Sequence, residues 1–308
     1  MRRLLAIIVA ALALAAAVAM SCGLLPSDPR AAGTKVPQGA PLPLAIEEDP
    51  GDPEPDLNAP PVALAPPGGA IIQQGVVRIP KPKIDVNGKR RVGIQIGHWQ
   101  TDTVPKEYGT RIQQQTGTSW EGITEVEVTT EIANRLAALL EAQGIAVDIL
   151  PTTVPEGYLA DVFIALHVDG DGVGELSGFK MAHGTRRGPF EDQLMRTIKD
   201  VYAKATGLRY DTEHVTRAMT GYYAFNWGRY MHATSPFTPS TILELGFLSN
   251  DDDRALLLDQ TDTIAAALST GILTFLDETP RSKLFGSDLL VPQAPIRQGP
   301  LPTPTTPP

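Results

Sequence analysis

Cysteine is almost absent from this chain: Cys22 is the only one among 308 residues. A lone cysteine excludes an internal disulfide, so a folded part must be held by its apolar core or by a bound metal.

Basic residues are also too few for a nucleic-acid partner, because 26 lysines and arginines against 35 acidic residues give a formal net charge of −9. Phosphate backbones require a basic surface, and the sequence therefore predicts no nucleic-acid partner.

Proline is scarce in the middle of the chain and abundant at both sides. Of 28 prolines, 14 lie between residues 26 and 82, 8 lie between 280 and 308, and only 6 lie between them. Proline fixes φ and removes a backbone donor, which favours extended linkers over packed elements. We therefore predict a disordered tether over residues 22–89, one folded domain over 90–279 and a disordered tail over 280–308.

The first residues have the pattern of an export signal. Met1, Arg2 and Arg3 precede an unbroken apolar run of 17 residues, 4–20. A basic start, an apolar run and a small-residue exit are typical of a secretory signal peptide, here residues 1–21. Residues 18–22 (Val-Ala-Met-Ser-Cys) resemble a bacterial lipoprotein signal, in which Cys22 is lipidated. An uncleaved signal anchor and plain cleavage are the alternatives, and each of the three exports the domain.

Strand and helix patterns alternate between the two proline-rich segments. Short apolar runs at residues 91–96, 146–150, 161–166, 178–182 and 241–243 predict strands, and helical spacing of apolar residues predicts helices at 126–143, 190–205, 251–258 and 263–275. Thr124 and Glu127 have the spacing of a capping box before the first helix. This alternation predicts an α/β fold, a single three-layer domain with a largely parallel central sheet flanked by helices.

Three polar side chains stand at predicted strand ends. His98 follows strand 91–96 after one glycine, His167 directly follows strand 161–166, and Glu244 directly follows strand 241–243. Ligands of open α/β sheets bind beyond the carboxyl ends of the strands. If these strands are parallel, the three side chains gather at one edge. Two histidines and a carboxylate there indicate a metal site, and packing histidines are the alternative.

A catalytic zinc site usually has three protein ligands. Glu121, Glu125 and Glu127 are the acidic candidates near the start of the first helix. Spacing alone leaves the choice open, because Glu127 fits the capping box and Glu125 fits a favourable interaction with the helix N-terminus. The chain has no His-Glu-x-x-His motif. The acidic loop at Asp169 and Asp171 lacks the later ligands of an EF-hand, which predicts a plain turn.

Four blocks of sequence together resemble a known enzyme family. They are Gly97-His98, residues 122–125 (Gly-Ile-Thr-Glu), residues 160–167 (Ala-Asp-Val-Phe-Ile-Ala-Leu-His) and residues 244–250 (Glu-Leu-Gly-Phe-Leu-Ser-Asn). Over about residues 90–277 the chain resembles the zinc-dependent N-acetylmuramoyl-L-alanine amidases of the Amidase_3 type. Trp99 stands where that family commonly has glycine.

The resemblance implies a function and a role for each residue. It implies His98, Glu125 and His167 as ligands of a zinc ion, Glu244 as the catalytic carboxylate, and 90–279 as a zinc amidase domain. The reaction implied is hydrolysis of the amide between N-acetylmuramic acid and L-alanine of the stem peptide, by zinc-activated water with a glutamate general base. The implied substrate is bacterial peptidoglycan. An exported domain held by an N-terminal lipid or signal anchor would then face the cell wall.

Two other functions fit the same residues. One is a cell-wall-binding protein of this fold with weak catalysis. The other is a zinc peptidase that acts on another amide, because the ligands alone do not define the substrate.

Overall fold

The computed structural model describes residues 71–73, 76–185 and 188–292. The predicted signal peptide, Cys22 and most of the predicted tether and tail lie outside the described residues. Within the described ranges, no helix is both long enough and apolar enough to cross a membrane.

Strands and helices alternate through most of the described chain. The strands are β1 (Ile71–Gln73), β2 (Val76–Ile79), β3 (Arg91–Ile96), β4 (Ser119–Trp120), β5 (Ile123–Thr124), β6 (Ala146–Leu150), β7 (Val162–Asp169), β8 (Lys180–Ala182), β9 (Ser240–Phe247) and β10 (Leu289–Pro292). The α-helices are α1 (Gly109–Gln114), α2 (Glu125–Ala142), α3 (Glu191–Thr206), α4 (Arg217–Thr220), α5 (Asp251–Asp259), α6 (Thr261–Glu278) and α7 (Arg281–Phe285). Single 3-10 turns lie at Thr101–Thr103, Lys106–Tyr108 and Tyr223–Phe225.

The central sheet has five strands in the order β6-β3-β7-β9-β8. Four of them are parallel and β8 is antiparallel to β9. This confirms the predicted α/β fold with a largely parallel sheet. The carboxyl ends of β3, β7 and β9 lie side by side, since Ile96 is paired with Leu166 and His167 with Glu244.

The two faces of the sheet are covered differently. One face packs against the long helices, and the aliphatic residues of α2, α3 and α6 form the main core with alternate residues of β3, β7 and β9. The other face is covered by the short elements around α1 and α4, whose buried residues include the aromatic side chains Tyr108, Tyr158, Tyr222, Tyr223, Phe225 and Tyr230. The predicted three layers are therefore present, with short helices and turns as the third.

Helix α2 starts where its sequence predicts. The Thr124 side chain accepts a hydrogen bond from the amide of Glu127, and the Glu127 carboxylate accepts one from the amide of Thr124, which confirms the capping box. Val128, Ile132 and Leu136 are buried against the sheet. Burial of this apolar stripe, more than helix propensity, stabilises such a helix.

The predicted tether and tail contain secondary structure in the parts that lie next to the predicted domain. β2, which lies in the predicted tether, pairs with β1 and with β10 of the predicted tail in a small antiparallel sheet. Helix α7 also lies in the predicted tail, and its Leu284 and Phe285 are buried in the main core. Local proline content did not predict this order, because the pairing joins segments about two hundred residues apart.

Candidate active site

His167 and Glu244 lie within strands and not after them. β7 extends to Asp169 and β9 to Phe247, beyond the ends predicted from the apolar runs. Side chains alternate between the faces of a strand. Leu166 and Leu243 are buried among the long helices, so His167 and Glu244 are directed to the face of the short helices. The register of β7 against β9 shifts between His167 and Asp169.

His98 lies in the turn after β3 with a left-handed backbone, φ 58°. A non-glycine residue in this region costs of order 1–3 kcal/mol and persists only where the surroundings enforce it. Gly97 allows β7, the neighbouring strand in the sheet, to approach closely. A Cβ atom at residue 97 would lie 2.6 Å from the His167 ring. The centroids of the His98 and His167 rings are 5.0 Å apart, edge to face.

Glu125 is the first residue of α2, and its carboxylate lies between the two histidines. Oε1 is 2.9 Å from Nδ1 of His167 and 3.7 Å from Nε2 of His98. The carboxylate also accepts hydrogen bonds from the amides of Thr118, at 2.9 Å, and Val168, at 3.2 Å. The helix start and these amides therefore fix the carboxylate in place.

Burial alone would raise the pKa of Glu125, but the imidazoles of His98 and His167 and the amide of Thr118 outweigh it, so that the pKa is lowered to about 2. The carboxylate is therefore anionic near neutral pH. Gly117 has a φ of +77°, and a Cβ atom there would lie 2.7 Å from Oε2 of Glu125. A side chain at this position would therefore displace the Glu125 carboxylate or the His98 ring.

The three side chains form a cluster suited to a metal ion. One ligand atom each from His98, Glu125 and His167 lies within 4.8 Å of the others. Ligands on tetrahedral zinc, with bonds of about 2.0–2.1 Å, lie roughly 3.3 Å apart. The observed distances of 2.9 and 3.7 Å from Glu125 bracket that spacing. Two imidazole nitrogens and a carboxylate oxygen are also the donor types of catalytic zinc.

The other two acidic candidates lie outside this cluster. The Glu127 carboxylate caps α2 through Thr124. Glu121 is exposed and pairs with Arg254 at 3.2 Å. Of the three glutamates that spacing left open, the structure therefore brings only Glu125 to the histidines.

Glu244 lies next to His167 in the register of the sheet. It is buried, and among the described residues its Oε2 atom has no hydrogen-bond partner. Burial and the negative charges of Asp169 and Glu125 raise the pKa of Glu244 well above its usual value, offset in part by His167 and Lys180. A buried carboxyl oxygen without a partner costs about 1–3 kcal/mol or more, and such groups are typical of functional sites.

An ion pair between a buried lysine and a partly exposed aspartate lies beside Glu244. Lys180 pairs with Asp169, and its ammonium group lies 5.2 Å from the centroid of the Phe247 ring. Lys180 is also the register partner of Glu244 in the antiparallel pair β8–β9. Asp169, an alternative proton acceptor beside His167, is therefore already engaged by a cation.

The sequence did not indicate Tyr222 as a site residue. The aromatic cluster before β9 (Tyr222, Tyr223, Phe225, Trp227 and Tyr230) has the composition of core and rim packing, and most of it is buried. The hydroxyl of Tyr222 nevertheless lies 2.8 Å from Nε2 of His167. No local signal predicts this contact, which depends on how the segment folds back onto the sheet.

The remaining histidines do not belong to the cluster. His183 pairs with Asp192, His214 with Asp211 and His232 with Glu107, at 3.2, 2.7 and 2.7 Å.

The acidic loop after β7 is held by Asp171, whose carboxylate accepts hydrogen bonds from four backbone amides, those of residues 173–176, and from the hydroxyl of Ser249. This agrees with the predicted plain turn.

Comparison with known proteins places this geometry in a family. The family model Amidase_3, N-acetylmuramoyl-L-alanine amidase, matches residues 92–274. This range contains His98, Glu125, His167 and Glu244. No curated protein matches the chain closely enough to count as a relative.

Several solved structures are similar to this one. The N-acetylmuramyl-L-alanine amidase Ami1 from Mycobacterium smegmatis has 20% identity and a TM-score of 0.47, covering 62% of this chain and 98% of its own. The catalytic domain of the amidase CwlV from Bacillus (Paenibacillus) polymyxa var. colistinus has 20% identity and a TM-score of 0.40, covering 61% and 98%. An N-acetylmuramoyl-L-alanine amidase from Clostridium difficile 630 has 17% identity and a TM-score of 0.43, covering 61% and 97%.

The family model spans more than half of the 308 residues, including the central sheet and the long helices that cover one of its faces. The chain therefore belongs to the Amidase_3 family of N-acetylmuramoyl-L-alanine amidases.

Proposed function

We propose that this protein is a peptidoglycan hydrolase that binds zinc through His98, Glu125 and His167 and cleaves the amide between N-acetylmuramic acid and L-alanine. The observation that carries the proposal is the convergence of three ligand atoms within 4.8 Å around an anionic Glu125. Family membership supplies the substrate class. Zinc, when bound, polarises the scissile carbonyl and lowers the pKa of a water molecule towards ~7.

Glu244 supplies the proton transfers in this proposal. Its carboxylate accepts a proton as the water oxygen attacks the lactyl carbonyl carbon, and it returns a proton to the leaving nitrogen of L-alanine as the carbon–nitrogen bond breaks. Burial beside His167 and the absence of a hydrogen-bond partner for Oε2 among the described residues support this role. A cell-wall-binding protein without catalysis would have no use for such a destabilising group.

The metal and the activity are tested together on purified peptidoglycan. We expect the full chain to release stem peptides with a new amino group on L-alanine, detected by chemical labelling and mass spectrometry. A chelator should abolish the release and added zinc should restore it. Release that is unchanged after the metal has been removed would contradict the zinc proposal, and the absence of any release by the zinc-loaded protein would favour the wall-binding alternative.

We further propose that the domain acts outside the cytoplasm from a lipid anchor at Cys22. The basic start and the apolar run before Cys22 support export, and cell-wall substrate is found there. Cys22→Ser should abolish lipid labelling and release the protein from membranes, or leave the signal uncleaved. Equal processing and equal membrane association of the variant would contradict the lipid anchor.

A further inference from the structure

Three non-glycine residues in the described part of the chain have a left-handed backbone: His98 (φ 58°), Gln100 (φ 60°) and Glu121 (φ 50°). Such a backbone is energetically costly, and strain of this kind clusters at functional sites. His98 is a proposed metal ligand. The side chains of Gln100 and Glu121, in contrast, are exposed and lie outside the ligand cluster. Their strained backbone therefore needs another explanation.

Both of these strained positions adjoin a tryptophan. Trp99 lies between the first two left-handed residues, in the turn after β3, and Trp120 directly precedes the third, in the hairpin of β4 and β5. The turn carries His98, and the hairpin leads directly into Glu125. Two of the three tryptophans of the chain therefore lie on segments that carry a proposed ligand.

The backbone holds both tryptophans in place. The carbonyl oxygen of Trp99 accepts a hydrogen bond from the amide of Thr152 at 2.9 Å, and its amide donates one to the carbonyl oxygen of Ile96 at 3.4 Å. Trp120 is paired with Ile123 across the hairpin. Because these positions are fixed before a ligand binds, less conformational entropy is lost on binding.

The surroundings of the two indole groups are apolar on one side and wet on the other. Both side chains are partly buried, and both pack against the main apolar core. Neither indole N–H donates to another described residue, and neither is among the buried atoms that lack a partner, so both reach solvent. Tryptophan is enriched at contact surfaces because its ring combines a large apolar area with a polar N–H.

The substrate of the proposed reaction contains a group that matches such a ring. Muramic acid is joined to the scissile carbonyl through one lactyl ether, so a sugar ring must lie next to the metal centre while the amide is cleaved. A pyranose ring has an apolar face of C–H groups and a rim of hydroxyl groups. An indole that combines an apolar face with a free N–H is complementary to both.

We propose that Trp99 and Trp120 are specificity-determining residues that bind sugar rings of the glycan strand next to the metal centre. The inference rests on the proposed function for its substrate. Neither residue takes part in the steps that make or break bonds, because both contact only the sugar on the acyl side of the amide. Recognition of the glycan is therefore separable from zinc binding and from proton transfer.

Two amide substrates that differ in the glycan give the first test. One is a short glycan strand that bears stem peptides, and the other is the corresponding lactyl peptide without a sugar ring. For Trp99→Leu and for Trp120→Leu, kcat/KM on the glycan strand should fall about 10-fold or more, as is typical when a tryptophan in a contact surface is truncated. On the lactyl peptide kcat/KM should stay that of the parent, whereas a general disturbance of the site would lower both.

The third tryptophan provides the matched control. Trp227 lines a cavity together with Ser240, the first residue of β9, whereas the proposed catalytic residue lies near the other end of that strand. Trp227→Leu should therefore retain the parent's preference for the glycan strand over the lactyl peptide. Equal losses on both substrates, or an unchanged preference in the Trp99 and Trp120 variants, would overturn the proposal. A changed preference in only one of them overturns the assignment of the other.

Binding without catalysis gives the second test. A glycan strand without stem peptides is added to zinc-free protein, and tryptophan fluorescence is recorded. The parent and Trp227→Leu should respond, and the apparent affinity should weaken about 10-fold or more in Trp99→Leu and Trp120→Leu. If a leucine variant does not fold, the tyrosine variant at the same position replaces it, because loss of that tryptophan's emission must then reduce the response.

Two outcomes of the binding test separate this inference from the proposed function. A response of the parent to free stem peptide and none to the glycan strand would overturn the inference, even if the parent cleaves peptidoglycan. A parent that binds the glycan strand as expected, but cleaves neither amide substrate when loaded with zinc, would instead refute the proposed function.

Discussion

Oε1 of Glu125 and Nδ1 of His167 lie 2.9 Å apart, at the meeting point of a helix start and a strand end. The distance is that of a hydrogen bond and is shorter than the roughly 3.3 Å between two ligands of tetrahedral zinc. The lowered pKa of Glu125 keeps its carboxylate anionic at neutral pH. In the proposed zinc site, this pair supplies the anionic half and His98 completes the ligand set from the neighbouring turn.

The first prediction separates two glutamates in one helical turn. Glu125→Gln should weaken zinc affinity more than the 10–100-fold that is typical when a residue in contact with a metal ligand is changed. The loss should be larger here because the ligand itself is changed. Glu127→Gln is the matched control, since its carboxylate is exposed and a glutamine also completes a capping box. Zinc content measured after dialysis gives the result. Retention of zinc by Glu125→Gln, or its loss in Glu127→Gln, would show that the ligand was assigned to the wrong residue.

The second prediction separates catalysis from metal binding at Glu244. Glu244→Gln keeps the shape of the side chain and removes the proton acceptor, so turnover should fall by about 10²- to 10⁴-fold. Zinc content should stay that of the parent, and the acidic limb of the pH–rate profile should disappear. If the variant instead loses its zinc, Glu244 is a fourth ligand and the closed site is structural. If turnover is normal, the proton acceptor lies elsewhere.

The third prediction concerns Asp171 and low pH. Burial raises the pKa of Asp171, but hydrogen bonds from Ser249 and the loop amides outweigh it and lower the pKa from 3.8 to about 2. A lowered pKa in the folded state means that the unfolded chain binds more protons, so this stabilisation is present above about pH 4 and is lost between about pH 4 and 2.

Asp171→Asn places an NH₂ group against amide donors and should cost about 1–3 kcal/mol of unfolding free energy near neutral pH. Glu175→Gln, an exposed change in the same loop, should cost nothing measurable. Denaturant unfolding at several pH values measures both variants. The difference between Asp171→Asn and the parent should shrink as the pH falls towards about 2, and a constant difference would contradict the role given to this carboxylate.

The fourth prediction concerns the end of the folded domain. The sequence predicts a disordered tail from residue 280, yet Leu284 and Phe285 are 3% and 1% exposed. Burial of such side chains stabilises by about 1.5–3 kcal/mol each. A chain that ends after Thr279 should therefore unfold at much lower denaturant than one that ends after Pro292. Removal of residues 293–308 alone is the control and should change nothing. Equal stability of the two shortened chains would show that the folded domain ends at residue 279, as the sequence predicts.

The local patterns of the sequence predicted the layers of the fold well. Strand β3 and helix α2 differ from their predicted bounds by at most one residue, because each coincides with an apolar pattern and, for α2, with a capping box. Strands β7 and β9 continue three and four residues beyond their predicted ends. An apolar run stops at the first polar residue, whereas a strand continues as long as its backbone is paired.

The candidate site was predictable in its residues and less so in its surroundings. Parallel strands brought His98, His167 and Glu244 to one edge as expected, and the family resemblance selected Glu125 where spacing left a choice. Tyr222 was missed because its contact with His167 spans 55 positions along the chain. Likewise the ion pair of Lys180 with Asp169 depends on an antiparallel edge strand that no local pattern aligns.

The position of the label after hydrolysis in oxygen-18 water tests the central claim most directly. Cleavage of the muramoyl–L-alanine amide transfers the water oxygen to the lactyl carboxylate of N-acetylmuramic acid and leaves L-alanine with a free amino group. Mass spectrometry of the products should therefore find one labelled oxygen on the muramic acid and none on the peptide. A labelled carboxylate within the stem peptide would contradict the account and identify the protein as a peptidase.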